Sequence, residues 1–361
     1  MMNTERLHAM AFEIKTDIEK LQVVQLLQQL TTHLQNIVNQ PQQATHQQNL
    51  STVRNNLNEK LSVSRVNGFS PAWTQALEEI GLSEYLGINL LSKINDIFNE
   101  NQITPQVALQ EVQQLHAKES KIVANLTNLI NSFSYLEIGR EKLASGEGEV
   151  GILLPREYID NRFDKLAKEL KELNGILMVL SEVGTGRAEH FELRQLSTTD
   201  PLITLGASLA VLSTIAVAIK PIISAYKEIL EVRILHAKLA EMKVQKKRLQ
   251  GVEEHAEEIM EKAIEKIKSE LVANSPITDK GRKNELSIAL SIALNKLANR
   301  IDRGFNIEVR VEPIEVDEES EEEKNDDIKN IQAIEGAMKE MKFMNISGKP
   351  ILHLPESIDE D

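Results

Sequence analysis

Apolar residues recur along most of this chain at intervals of three and four, the spacing of helices rather than strands. From residue 4 to residue 39, Leu7, Ala11, Ile14, Ile18 and Leu21 set a stripe that Val24, Leu27, Leu30 and Leu34 continue with some drift. Pro41 cannot extend a helix and closes that element. Further helices are predicted over about 43–64, 71–98 and 105–135, with turns at Asn67-Gly68 and Thr104-Pro105. Residues 1–144 therefore read as an all-α domain, suited to self-association or to a protein partner.

The pattern changes at Ser145-Gly146-Glu147-Gly148. Val150–Leu154 is a short apolar run stopped by Pro155 and reads as a buried strand. A helix follows over about 157–183, ended by Gly184 and Gly186, and His190–Leu196 alternates like a half-buried strand. Past Pro221 a charged amphipathic helix carries Val232, Leu235, Leu239 and Met242, Gly251 turns the chain, and Ala256, Met260, Ala263 and Ile267 mark the return helix. This is the pattern of an antiparallel αα-hairpin over 220–273. A helix at about 281–302 leads to the clearest alternation in the chain, Phe305, Ile307, Val309 and Val311 against polar neighbours. A short helix near 328–341, a strand near Phe343–Ile346 and a loose acidic end complete it. The predicted fold is mostly α with a small sheet. An N-terminal helical bundle is followed by an α+β domain over 145–315, then by an acidic linker and tail over 316–361.

One segment has no period at all. Pro201–Ile219 holds no charged residue in nineteen positions. Leu202, Ile203, Leu205, Gly206, Leu209, Ala210, Leu212, Ile215, Val217 and Ile219 make it a single apolar helix in this reading, capped by Asp200. At about 1.5 Å per residue it reaches roughly 28 Å, close to the hydrocarbon thickness of a bilayer. Gly206 and Ala210 are small in the manner of packed membrane helices, and Tyr226 and Lys227 suit an interface. A helix covered on all sides in a soluble core would look the same. Topology opposes spanning: eight Lys and Arg against three acids over 220–250 place that side in the cytoplasm, and spanning would separate the strands near 190–196 and 305–311.

Composition narrows the function classes. The net charge of −14 disfavours broad nucleic-acid binding. With no cysteine, disulfides, cysteine zinc sites and thiol nucleophiles are excluded. Aromatic residues are only 4%, so the core is built from Leu, Ile, Val and Ala. The first twenty residues include Glu5, Glu13, Asp17 and Glu19 and do not form a signal peptide, so a cytoplasmic location is expected, with the inner membrane face as the alternative.

Motifs with chemistry are weak. Gly184-Thr185-Gly186-Arg187 follows a helix and lacks the Gly-Lys-Ser/Thr of a phosphate loop. Glu253, Glu254, Glu257 and Glu258 complement a helix N-terminus. A single Glu-x-x-His, Glu5 to His8, falls short of a di-iron site, and the eight histidines are scattered. Neither a metal nor a cofactor is expected. Lys280, Arg282, Lys283, Arg300 and Arg303 are the candidate anion contact, and Asp317–Glu323 is an acidic run read as solvated. The leading function is a non-enzymatic interaction protein with a membrane-inserting helix, conceivable as a conditional membrane effector. At the level of architecture alone, it resembles pore-forming α-helical effectors. The alternative is a cytosolic oligomeric scaffold or sensor with that helix in its core. The third is an enzyme without a recognisable motif.

Overall fold

A computed structural model describes residues 4–197, 201–242, 246–314, 325–338, 341–344, 346 and 348–357. The acidic run Asp317–Glu323 and the expected cap Asp200 lie outside the described residues. The protein is mostly helical with one small antiparallel sheet. It folds as two compact units that meet in sequence between Lys142 and Leu143.

The first unit is all helix: α1 Thr4–Leu21, α2 Val23–Asn39, α3 Ala44–Ser62, α4 Pro71–Glu79, α5 Gly87–Glu100 and α6 Pro105–Tyr135. The single helix expected over 4–39 is broken at Gln22, which adopts a left-handed φ of 58°. The break has a purpose visible in the burial. Ile14 and Ile18 are buried before it, and Val23, Leu26, Leu27 and Leu30 after it. The step from 18 to 23 is too long for one helix face, and one left-handed residue resets the phase. The expected helix 71–98 likewise splits where Gly81, at φ 67°, ends α4. Buried Asp17 accepts from Ser64 Oγ at 2.6 Å and from the Arg65 amide at 3.1 Å, which fixes the turn after α3.

The second unit is built on four strands: β1 Gly148–Leu153, β2 Glu192–Leu196, β3 Leu202–Gly206 and β4 Asn306–Val311. Their order is β2-β3-β1-β4 and every pairing is antiparallel. Val150 lies opposite Leu205 and Val309, and Ile152 opposite Ile203 and Ile307, so one sheet face is apolar. Helices α8 Leu209–Glu241 and α11 Asn325–Met338 pack against the sheet, and α7 Phe163–Thr185, α9 Lys246–Asn274 and α10 Lys280–Asp302 pack on α8, all in a single core.

Three expectations need correction here. The apolar stretch Pro201–Ile219 is not one helix. Its first part is β3, paired with β1 from Leu202 opposite Leu153 to Gly206 opposite Glu149, and only Leu209 onward is helical. A run without charge carries no period, so propensity and pairing decide; Ile203-Thr204 suits a strand, and Gly206 is a poor helix residue. Gly206 also lies beneath Arg194, whose Nε would sit 2.5 Å from an added Cβ. Second, Gly251 does not turn the hairpin. It lies inside α9 with open space around it, α8 having ended at Glu241 and α9 having begun at Lys246. Third, the C-terminal stretch is not a loose end. No strand forms among the described residues of 343–346, and Ile351, Leu352 and Leu354 are core residues.

Candidate functional site

Helix α8 is where sequence and structure both concentrate. It runs through the second unit against α7, α9, α10, α11, β1 and β4. Leu209, Leu212, Ile215 and Ile219 are buried, while Ala210 and Val217 are half-buried. Of the other candidate residues, Ile203 and Gly206 are buried on β3, with Leu202 and Leu205 half-buried. Small residues set the close approach of α7. A Cβ on Gly184 would lie 2.2 Å from Thr214 Oγ1, so glycine is what lets the two helices cross there. Gly186, at φ 81°, ends α7 and its amide donates to Glu182 O, an ordinary helix-ending turn. The helix passes through Pro221 without ending.

Beyond Pro221 the same helix carries a buried polar cluster. Tyr226 and Asp302 are fully buried and Arg233 is 6% exposed. Tyr226 donates to Asp302 Oδ1 at 2.7 Å, and Arg233 Nη1 donates to the same oxygen at 2.5 Å. Arg233 Nη1 also reaches Tyr226 Oη at 2.7 Å and Asp302 O at 2.6 Å, while Nη2 reaches Gly348 O at 2.6 Å. The second carboxylate oxygen, Oδ2, accepts from the amides of Ile351 at 2.7 Å and Leu352 at 2.8 Å. Burial, reinforced by the negative charge of Asp302, pushes the Tyr226 hydroxyl well above its ordinary value, so it stays a donor. A buried charge pair is stable only when its remaining lone pairs and protons are satisfied, as they are here. The ring of Tyr226, which the sequence suited to an interface, lies in the core here, and Lys227 beside it is exposed.

A second buried pair lies at the C-terminal end of α10. Arg300 Nε donates to Glu169 Oε1 at 2.5 Å, with both side chains almost fully buried. Burial works against the Arg300 charge, but the hydrogen bond and charge of Glu169 outweigh it and hold the guanidinium above its usual range. The expected anion contact does not come together. Lys280, Arg282 and Lys283 sit at the start of α10, and Arg300 and Arg303 at its end. About 20 residues of helix separate them, roughly 30 Å. Arg282 is clamped by Glu182 through two bonds of 2.7 Å and by Glu285 at 3.1 Å. Arg303 lies against the ring of Tyr158, 5.7 Å from its centroid. Lys280 is exposed and Lys283 half-buried.

The remaining candidates are plain. Glu253 pairs with His236 at 3.0 Å across the hairpin, and Glu257 accepts the His353 amide at 3.1 Å. No group of three metal-ligating side chains gathers among the described residues. A mostly apolar cavity of about 220 Å³ beside Phe163 and Leu196 is small for a ligand, and Arg162 at its rim is paired with Asp164 at 2.7 Å. Sequence reading missed Arg233, Asp302, Asn299 and Glu169. The one available signal was an arginine set within the apolar run Ile229-Leu230-Glu231-Val232-Arg233-Ile234-Leu235. No known protein-family model matches the chain, and no curated protein or solved structure matches it either.

Proposed function

We propose that this is a non-enzymatic interaction protein, cytoplasmic, in which α8 serves as the central core helix of the second unit and the molecule acts through a protein partner or another copy of itself. The observation that carries the reading is the Tyr226–Arg233–Asp302 clamp. Moving α8 into lipid would pull Arg233 from Asp302 and leave a carboxylate and a guanidinium buried or bare, at a cost of several kcal/mol. Support also comes from the sheet: β2 and β4 flank α8 in sequence yet belong to one sheet, which a spanning α8 would divide. The scaffold reading is thus favoured over a resident membrane protein. A second reading rests on α8 itself. It holds the apolar length of a membrane span, and 67% of its most apolar window is buried. In that reading insertion is conditional, and release of the Asp302 clamp is its first step.

One experiment addresses both. The protein is expressed, and cells are separated into soluble and carbonate-resistant membrane pools without detergent. The purified protein is then floated with anionic vesicles. Recovery in the soluble pool and no flotation are expected. Carbonate-resistant membrane recovery of the wild type would sink the core-helix reading. Flotation only of the Asp302→Asn variant, with helicity kept, would favour conditional insertion.

A further inference from the structure

The segment Gly348–Glu356 is held in an unusual way for a piece of core. Among the described residues it makes no backbone–backbone hydrogen bond. Side chains hold its main chain instead. Arg233 donates to Gly348 O, and Asp302 accepts from Ile351 and Leu352. Glu257 accepts from His353 at 3.1 Å. Asn299 takes both main-chain groups of Leu354: its Oδ1 accepts the amide at 3.1 Å and its Nδ2 donates to the carbonyl at 2.9 Å. Asn295 Nδ2 donates to Pro355 O at 2.9 Å.

Three of these side chains, Asn295, Asn299 and Asp302, stand at i, i+4 and i+7 of α10 and so share one face. A row of polar side chains reading the main chain, with pockets for apolar side chains, is how proteins grip a bound peptide. The pockets are filled by Ile351 and Leu352, both 0% exposed, and Leu354 at 4%, while Lys349, Pro350, His353 and Pro355 face outward. Main-chain contacts of this kind do not record which chain the peptide belongs to.

We propose that α8, α9 and α10 form a peptide-binding groove, occupied here by residues 348–356 of the same chain, and that the same segment of a second copy can take its place. The segment is the one sequence shown to fit the groove. Its release breaks side-chain contacts and no sheet pairing, and a second copy restores every contact, which makes exchange a low-cost route to self-association. The inference goes beyond the reading above and does not depend on the membrane question.

Two arms test it on the full chain. In the first, a protease site is placed after Ile346, the folded protein is cut, and it is unfolded and refolded in excess dye-labelled synthetic peptide of residues 347–357. One peptide per chain is expected. Asn299→Ala in the chain should weaken uptake about tenfold, the worth of one to two hydrogen bonds. A peptide carrying Leu352→Asp should not bind. Failure of the labelled peptide to enter a refolded chain, or equal uptake of the Leu352→Asp peptide, overturns the groove. In the second arm, two uncut full chains with different tags are refolded together at high concentration. Copurification is expected, lost when both carry Leu352→Asp and weakened about tenfold with Asn299→Ala, a change that leaves the apolar anchors in place. If the chains never copurify, or if both variants copurify as well as the parent, exchange with a second copy is overturned. Should the cut chain not refold, this second arm decides alone.

Discussion

The two longest helices described, α6 with 31 residues and α8 with 33, each bury an ionisable side chain inside an apolar stripe, and they treat it in opposite ways. On α8, Arg233 is fully partnered by hydrogen-bond acceptors. It is met by Asp302, by Tyr226 and by two main-chain carbonyls. On α6, Glu119 is 0% exposed and neither carboxylate oxygen has a hydrogen-bond partner among the described residues. Burial pushes its carboxyl up to about 8, against a modest opposing effect of Lys118. It is therefore a neutral acid at pH 7. A buried charge is tolerated either by completing its partners or by giving up the charge. The first solution ties distant parts of the second unit together. The second leaves the first unit with a stability that depends on pH.

The single tryptophan, Trp73, is buried in the first unit, so its fluorescence follows that unit while far-UV circular dichroism follows both. This separates the two solutions. The largest effect belongs to Asp302→Ala, which strands the Arg233 guanidinium in the core. It should destabilise the second unit by about 3–5 kcal/mol. The helicity transition shifts to lower denaturant while the Trp73 transition stays put. Adding Arg233→Met should restore much of the loss; if the double variant is no better than the single, the clamp does not act as a charge pair.

Glu119 supplies the next effect, in the other unit and with pH as the lever. Its folded-state pKa, about 8, lies above the ordinary 4.5. The folded state therefore holds a proton that the unfolded chain has released across that window. Stability of the first unit should fall as pH rises from about 4.5 to about 8, by roughly 1.4 kcal/mol per pH unit, and level off above. Glu119→Gln should flatten that dependence, and Glu119→Leu should flatten it while stabilising the unit at pH 8. A Trp73-monitored stability that ignores pH in the parent protein would show that Glu119 is charged and paired after all.

How much of this was legible follows from the distance over which each feature is decided. Local features were readable. Thr104-Pro105 and an unbroken stripe predict a helix over about 105–135, and α6 is Pro105–Tyr135. Phe305–Val311 alternates and β4 covers Asn306–Val311. Glu119 was missed, although a local signal for it existed. It stands in the four-three rhythm of Ala108, Val112, Leu115, Ile122 and Leu126, a position that demands an apolar side chain. Features settled by long-range partners were not readable. β3 hides in an uncharged run because its strand character comes from pairing with β1, about fifty residues earlier. The clamp joins residues 69 and 76 apart in sequence, and no spacing rule reaches that far. Gly251 misled for a simpler reason: an exposed glycine in a helix costs only about 1 kcal/mol, which a long hairpin absorbs.

A last series, which descends to the smallest effect, tests how far the core extends along α8. The stripe Val232, Leu235, Leu239 and Met242 reads as core from its spacing, yet Leu235 is 50% exposed and Met242 74%. Their counterparts on α9, Ala256 and Met260, are fully buried. The core therefore ends near Arg233, and the last turns of α8 reach past it. Leu212→Ala, at a site with no exposure, should cost about 2–5 kcal/mol. Tyr226→Phe removes one hydroxyl donor from Asp302 and should cost about 0.5–1.5 kcal/mol. Leu235→Ala should change stability by less than about 0.5 kcal/mol. All three are read by denaturant titration of helicity at a fixed pH. The ordering is what matters, because Leu212 and Tyr226 are fully enclosed and differ in the group removed, while Leu235 lies half in solvent. If Leu235→Ala costs as much as Leu212→Ala in dilute solution, the outer turns of α8 are covered. If the cost of Leu235→Ala grows with protein concentration, what covers them is a second copy.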